Sequence, residues 1–337
     1  MTDHPGTDHP GAGDRGAGDR GAGPLDAEEV AGYRAMRESV AWFPLGRDAV
    51  SVDGVDAFGY LQGQLSQDLE PLQPGGSTPS LLLSPQGKLV AALRVTLLVP
   101  GSYVLDVEAG WGAAVAERLA RFKLRSKLAL QTPEWRCVAL RGPAARDLLV
   151  PGAQPTGPSP DARAVDSDWP VAQGFDLVGS GALAPAGVRR AAAGAVEALL
   201  VEDGVARMGR ELDERTIPAE ADLVGATVSF TKGCYTGQEL VARLDARGNR
   251  VPRRLRGVVV PGGTVPPRGA TLLREGKELG ALTSSAWSPR LGAAVALAYV
   301  RREVEPPADL ALHWQGMSAP CRVVELPIPA RLDRAPG

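Results

Sequence analysis

The sequence predicts an α+β protein that ends in a small β-barrel. Strand and helix signals alternate from residue 40 onward, which is typical of mixed α+β organisation. After residue 256 the pattern changes to short β-prone runs separated by Gly/Pro turns, which indicates a barrel of about 80 residues. With 337 residues, 44% of them hydrophobic, the chain is long enough for two or three packed domains.

The composition excludes several kinds of site. The formal net charge of -2 gives no global basic field, so capture of nucleic acid or anionic lipid by net charge is not expected. His4 and His9 lie in a low-complexity tail, which leaves His313 alone in the folded body. A histidine-rich metal centre cannot be built from this set, so we predict no metal site.

Targeting signals and cysteine usage point to the cytoplasm. No apolar run approaches the roughly 18 residues needed to span a bilayer, and the N-terminus does not resemble a secretory signal. The three cysteines are odd in number and far apart, which fits a reducing compartment. We expect a cytoplasmic protein without membrane contact.

Three regions are predicted along the chain. Residues 1–30 form a disordered low-complexity tail, residues 31–252 an α+β region of two subdomains with a boundary near 130–170, and residues 253–330 the barrel.

Hydrophobic periodicity predicts the individual elements. Asp53 is expected to cap a helix that passes through Phe58, Leu61 and Leu65. Further helices are predicted at 113–122, just before 149 and at 192–200, and strands at 49–52, 81–83, 88–98, 103–107 and 135–140. In the barrel, strands are predicted at 255–260, 270–273, 293–300, 310–314 and 321–326.

The segment from Lys232 to Glu239 carries the most chemical information. Thr236 and Glu239 have the spacing of a capping box, which predicts a helix from Gly237 to about Gly248. Cys234 would then precede a helix N-terminus, where the dipole and Lys232 both favour a thiolate. The alternative is a buried, inert cysteine.

This segment resembles the signature of the YgfZ family, whose members are similar to the glycine-cleavage T-protein and act in iron-sulfur protein maturation. It reads Lys-Gly-Cys-Tyr-Thr-Gly-Gln-Glu. Three further segments resemble parts of the same family: the helix and its continuation at 58–68, the hairpin turn at 84–88 and the lead-in at 218–223. The likeness extends over about residues 36–326.

The resemblance implies a GcvT-like multi-part ring around a central cavity that holds tetrahydrofolate or a one-carbon derivative. It implies a role in iron-sulfur cluster assembly or repair and thereby in tRNA modification, with client proteins such as a tRNA methylthiolation enzyme as partners. Cys234 is the expected functional thiol, assisted by Lys232. The expected folate contacts are Lys88, Asp176, Glu202, Gly233, Tyr235, Gln238 and Glu239.

One departure from the T-protein pattern bears on catalysis. Aminomethyltransferases carry an acidic pair in the strand after the hairpin turn, where this sequence has Ala91 and Ala92. Loss of that carboxylate removes a general acid/base. Aminomethyl transfer or demethylation with another acid is therefore the alternative function.

Several of these residues have a second interpretation. Asp176 suits hydrogen bonding to a pterin but also an exposed strand position, and Glu202 has the same ambiguity. Lys88 suits the cavity border or a strand edge, and Trp287 a stacking platform or the barrel core.

Arginines are concentrated between residues 243 and 256. Such a cluster can grip a folate tail or weakly contact RNA, or it can form a solvated face with salt bridges. An RNA-binding module is therefore a third hypothesis. The residues assigned to this contact are Arg243, Arg247, Arg250, Arg253 and Arg254, with Arg256 next to them.

Overall fold

The computed structural model describes residues 23–149 and 162–331. It has three parts: two five-stranded sheets and a closed six-stranded barrel. Residues 1–22 of the predicted low-complexity tail, with His4 and His9, and residues 150–161 within the predicted boundary region lie outside the described residues.

Helices make up the smaller share of the secondary structure. They are α1 (Ala27–Glu38), α2 (Ala57–Gln64), α3 (Gly112–Phe122), α4 (Ala193–Asp203), α5 (Val224–Thr227) and α6 (Gln238–Asp245), with 3-10 turns at Ala145–Leu148 and Pro218–Ala221. Helix α1 begins with a capping box between Asp26 and Glu29, so the tail boundary predicted at residue 30 falls inside it.

The first sheet has the order β3-β4-β5-β2-β6. Its strands are β2 (Arg47–Asp53), β3 (Ser77–Leu83), β4 (Leu89–Val99), β5 (Ser102–Glu108) and β6 (Ala129–Gln131). Asp53 is the last residue of β2, and Asp56 occupies the N-cap position of α2. The predicted cap at Asp53 was therefore wrong, because the strand continues to the residue where we expected the helix to begin.

The second sheet has the order β10-β1-β7-β9-β8. Its strands are β1 (Ala41–Pro44), β7 (Arg136–Arg141), β8 (Arg163–Asp166), β9 (Gly174–Gly179) and β10 (Arg189–Arg190). Strand β1 precedes the whole first sheet in the chain yet pairs with β7 and β10. The two subdomains are therefore interleaved, and no single boundary near 130–170 separates them.

The barrel closes in the order β11-β14-β13-β12-β15-β16. Its strands are β11 (Arg253–Val260), β12 (Thr271–Arg274), β13 (Lys277–Ser288), β14 (Ala293–Arg301), β15 (Ala308–Trp314) and β16 (Met317–Val324). The predicted barrel is confirmed, although the sequence suggested only five of these strands. Strand β13 was missed because its many polar residues, such as Ser284 and Ser285, resemble a loop.

One hydrophobic cluster joins the three parts, and a second fills the barrel. The interior of the barrel is filled by residues such as Val258 and Ala296. The neighbouring residues Val259 and Leu297 point outward and join a larger cluster that includes both sheets and α4. The barrel is thus packed against the sheets through its outer wall. Successive side chains of β11 point alternately into the barrel and toward the sheets, and because both sides are buried, both faces of the strand are apolar.

No helix among the described residues is both long and apolar enough to cross a membrane.

Candidate functional site

A cavity of about 320 Å³ lies between the first sheet, the segments after β1 and before β9, the end of α4 and the barrel. The lining includes Leu93 from the first sheet, Trp169 from the segment before β9, and Leu255 from the barrel. Apolar side chains form much of its wall, and a few charged groups reach it, which is the usual composition of a small-molecule site. The charged lining residues are Arg47, Glu108, Asp168, Asp203, Arg207, Asp222, Arg256 and Glu325.

Most of these charges are already engaged within the protein. Arg47 donates to Asp106 at 2.7 Å, Asp203 accepts from Arg37 at 2.8 Å, and Arg256 donates to Glu325 at 2.6 Å. Arg207 holds Glu197 through two hydrogen bonds of 2.8 and 2.6 Å. These pairs fix the shape of the wall and leave their charge largely neutralised.

Glu108, Asp168 and Asp222 take part in none of these ion pairs, and the pKa of Glu108 is shifted. It ends β5 and lines the cavity, where its Oε2 accepts a hydrogen bond from the backbone N–H of Met208. Burial raises the pKa of the Glu108 carboxyl to about 7, while Arg47 and Arg207 act in the opposite direction. A carboxyl with a pKa near 7 can both donate and accept a proton at neutral pH.

Glu108 also lies beside the site of the missing acidic pair. In the antiparallel pairing of β4 with β5, Leu93 is opposite Val107. One further step in the same register brings Ala92 next to Glu108, and both line the cavity. The position that lacks a carboxylate on β4 therefore has one on the adjacent strand. Sequence reasoning missed Glu108, because only the sheet register relates it to Ala92.

Asp176 lies inside an ion network and is not among the residues that line the cavity. Its carboxylate accepts from Arg94 at 2.6 Å and from Arg141 at 2.8 Å. Burial alone would raise the pKa of Asp176, but Arg141 and Arg94 outweigh it and lower the pKa. Arg94 also contacts Asp106 at 3.0 Å, so the network joins the two sheets. Both oxygens of Asp176 thus have protein partners.

Glu202 has a similar position at the junction of α1, α4 and the barrel. It accepts hydrogen bonds from Tyr33 at 2.7 Å, from Arg37 at 2.7 Å and from Ser288 at 2.6 Å. Arg290 is 3.2 Å away. Glu202 is fully buried and does not line the cavity, so its visible role is to tie the helices to the barrel.

The Cys234 loop (residues 229–237) lies on α2 and its continuation, outside the cavity lining. The ammonium group of Lys232 donates to the carbonyl oxygens of Leu65 at 2.8 Å and Gln67 at 3.0 Å. The N–H of Thr236 donates to the carbonyl oxygen of Gly63 at 3.1 Å. Burial lowers the pKa of Lys232 to about 8. Lys232 therefore fixes the loop, whereas we had expected it to support the thiol.

Cys234 is exposed, unlike Cys137 and Cys321, which are buried. The buried alternative for Cys234 is thereby ruled out. Helix α6 begins after Gly237, and no side chain caps its N-terminus. The predicted capping box between Thr236 and Glu239 is therefore wrong, because Gly237 occupies the N-cap position. Gln238 instead accepts from the N–H of Tyr235 at 3.1 Å.

The loop also packs on the hairpin at 84–88. Gly87 and Gly237 both have positive φ angles, +73° and +85°, and each lies against the other's segment. A Cβ on Gly87 would lie 2.6 Å from Cβ of Leu240, and one on Gly237 would lie 2.9 Å from Cβ of Leu83. Three segments that sequence analysis had singled out, the helix at 58–68, the hairpin and the loop, are therefore in contact. Lys88 and Glu239 are exposed at this junction, whereas Tyr235 is buried and Gly233 is exposed.

The remaining candidate residues, Trp287, Arg253 and Arg254, contact other parts of the protein. Trp287 packs against the interior cluster of the barrel, which matches the core interpretation. Arg253 pairs with Glu220 at 3.2 Å, and Arg254 donates to the carbonyl oxygen of Asn249 at 2.7 Å. Among the described residues, no group of three or more His, Cys, Asp or Glu side chains could hold a metal ion.

The chain has the fold of the glycine cleavage aminomethyltransferases, with their C-terminal barrel. Residues 253–328 match the family described as the glycine cleavage T-protein C-terminal barrel domain. The solved glycine cleavage system aminomethyltransferase T from Bartonella henselae superimposes with a TM-score of 0.76 at 22% identity, with 89% of each chain covered. This confirms the predicted GcvT-like fold.

Aminomethyltransferases are also found among the sequence relatives. The protein from Nostoc sp. (strain PCC 7120) is 26% identical over 88% of this chain and 86% of its own length. The protein from Rubrobacter xylanophilus is 28% identical over 91% of this chain and 87% of its own length. The narrower resemblance to the YgfZ branch depends on the signature at 232–239 and the segments at 58–68, 84–88 and 218–223.

Proposed function

We propose that the cavity binds tetrahydrofolate or a one-carbon derivative, and that the protein is a folate-dependent transferase of the aminomethyltransferase type. The observation that carries this proposal is Glu108, a carboxyl in the cavity wall on the strand next to Ala92. The names of the sequence relatives support the same activity. The alternative function that the sequence suggested therefore becomes the leading one.

The cavity residues fit a flat heterocycle. The volume of about 320 Å³ lies within the range of roughly 300–1,000 Å³ that is usual for small-molecule sites. Leu93, Met208 and Leu255 supply apolar contact area, and Glu108 supplies a hydrogen-bonding group for ring N–H or amino donors. When bound, the folate supplies the nitrogen atoms that carry the one-carbon unit.

In this proposal Glu108 performs the proton transfer. Its buried carboxyl has a pKa of about 7, so both protonation states are populated at neutral pH. The N–H of Met208 holds Oε2, which leaves Oε1 to face the ligand. The apolar wall limits access of water and strengthens the hydrogen bond between carboxyl and ligand.

The test compares two cavity carboxyls. Glu108→Gln keeps the shape and the acceptor for Met208 but removes the titrating proton, and Glu325→Gln removes a lining carboxylate that is bound to Arg256. Turnover is measured with tetrahydrofolate and a methylamine-type donor, and folate binding by calorimetry. We expect Glu108→Gln to lose about 100-fold or more in turnover and Glu325→Gln to keep most of it. Absence of folate binding, or full turnover by Glu108→Gln, would refute the proposal.

A second candidate function is assistance to iron-sulfur proteins and tRNA modification through Cys234. The specific observation that favours it is an exposed thiol on a loop that Lys232 and Thr236 hold in place. The side chains of Lys88 and Glu239 are exposed next to this loop and would meet a client protein there. Asp176 and Glu202 would then act from a distance, by keeping the parts of the fold in position.

Complementation separates this role from the first. Cells that lack the protein are complemented with the Cys234→Ala variant or, as a matched control, with the Thr231→Ala variant. Thr231 is exposed and lies three residues before Cys234. We expect Cys234→Ala to fail in restoring an iron-sulfur enzyme such as a tRNA methylthiolation enzyme, while the control restores it. Full rescue by Cys234→Ala would remove the thiol from the mechanism.

A further inference from the structure

A second cleft, of about 520 Å³, opens at one end of the barrel, away from the folate cavity. Its walls are the segment before β11 and the end of β14. The N–H of Arg302 donates to the carbonyl oxygen of Pro252 at 3.0 Å and joins the two walls. Four of the seven lining residues are arginines: Arg250, Arg253, Arg301 and Arg302, beside Val251, Pro252 and Glu303.

The pairing of the strands brings like charges together in this cleft. Arg253 and Arg301 are direct partners in the antiparallel pair of β11 and β14. Like charges at directly opposite positions destabilise a sheet. Glu220 offsets part of this repulsion through Arg253, and an anion in the cleft would relieve the rest.

Neighbouring acids neutralise only part of the positive charge of the cleft. Glu303 is bound to Lys277 at 2.6 Å, and Glu220 pairs with Arg253 alone, at 3.2 Å. Arg253 is also stacked on Tyr299 at 4.3 Å, which fixes its guanidinium group. In the described ranges 23–149 and 162–331, the side chains of Arg250, Arg301 and Arg302 form no ion pair.

We infer that this cleft is a binding site for a linear oligophosphate, held by the guanidinium groups of Arg250, Arg301 and Arg302. Planar guanidinium groups bind phosphate oxygens through two parallel hydrogen bonds. The lining contains no aromatic residue on which a base could stack, so the recognised chemistry is the phosphates. The volume of about 520 Å³ leaves room for several linked phosphates.

Binding of tripolyphosphate to the full chain tests this inference by calorimetry at low ionic strength. The cleft variant is Arg301→Gln/Arg302→Gln, and the matched control is Arg121→Gln/Arg125→Gln, which removes the same charge from exposed positions near the end of α3. We expect the cleft variant to bind about tenfold more weakly per arginine and the control to bind nearly as well as the parent chain. Circular dichroism verifies that the cleft variant and the control variant are folded. If the cleft variant does not fold, the single variant Arg250→Gln replaces it.

A short single-stranded oligonucleotide distinguishes the two sources of phosphate. Binding of both probes with the same loss in the cleft variant identifies a nucleic-acid backbone as a ligand, and binding of tripolyphosphate alone identifies a free oligophosphate. Either result supports the site. Equal weakening in the cleft and control variants, or no saturable binding of either probe, would overturn it.

Discussion

The cavity takes its wall from the first sheet, the segments after β1 and before β9, the end of α4 and the barrel, whereas the Cys234 loop is one continuous segment fixed on α2. The loop combines Lys232 and Cys234 with two glycines, and its sequence alone drew attention. The cavity is lined by residues that are unremarkable in the sequence, and none of the loop residues is among them. The most recognisable motif and the most suitable small-molecule site are thus two different places.

This difference shows how each region obtains its chemistry. The loop obtains a fixed, exposed thiol from hydrogen bonds to Leu65, Gln67 and Gly63, which lie together in one segment 165 or more residues earlier in the sequence. In the cavity, Glu108 lies at the end of a strand and is buried by residues that are distant in the sequence. This burial raises the pKa of its carboxyl to about 7. Substitutions can therefore disturb one region without the other.

The largest expected effect concerns the contact between the loop and the hairpin. Gly237→Ala places a Cβ against the carbonyl oxygen of Ser84 and forces alanine to a φ of +85°. We expect a loss of about 4 kcal/mol in the free energy of unfolding, since about 1–2 kcal/mol of backbone strain adds to the collision. Urea denaturation measures it. Gly233→Ala, in the same loop but with open space around it, is the control and should change little; equal losses would mean that the loop is not held by this contact.

The protonation of Glu108 in the cavity should make the free energy of unfolding depend on pH, by about 3 kcal/mol. The pKa of Glu108 rises from 4.5 to about 7 on folding, so the folded state holds the proton more tightly. The stability of the parent chain relative to Glu108→Gln should therefore be highest below pH 4.5 and fall as the pH rises toward 7, by about 3 kcal/mol in all. Urea titrations of both proteins across this range measure the difference. Parallel curves would show that Glu108 is solvated and not part of a closed cavity.

The smallest effect is expected for the lysine that fixes the loop. Lys232→Met leaves the carbonyl oxygens of Leu65 and Gln67 without their donor, and it should cost about 2 kcal/mol in the free energy of unfolding. Lys88→Met, at an exposed position in the neighbouring hairpin, is the control and should stay within about 0.5 kcal/mol of the parent chain. If both variants behaved alike, the hydrogen bonds of Lys232 would not hold the loop.

Much of the fold was accessible from periodicity. The hairpin of β3 and β4, helix α3 and five of the six barrel strands were predicted within a few residues, because their hydrophobic patterns are strong. Strand β13 was missed because side chains such as Ser284, which donates to Glu211, meet polar partners rather than the barrel core. The interleaving of the sheets was missed because β1 pairs with strands that are far away in the sequence.

The sequence by itself determined most of the helices and strands, the presence of the barrel and the composition of the Cys234 loop, since all of these depend on the order of neighbouring residues. Only the tertiary structure decided which residues meet. It buried Asp176 and Glu202 in ion networks, brought Glu108 beside Ala92, and set Arg301 opposite Arg253. These contacts follow from sheet register and from the packing of the barrel on the sheets, and a side chain's charge and protonation depend on neighbours that no local pattern reveals.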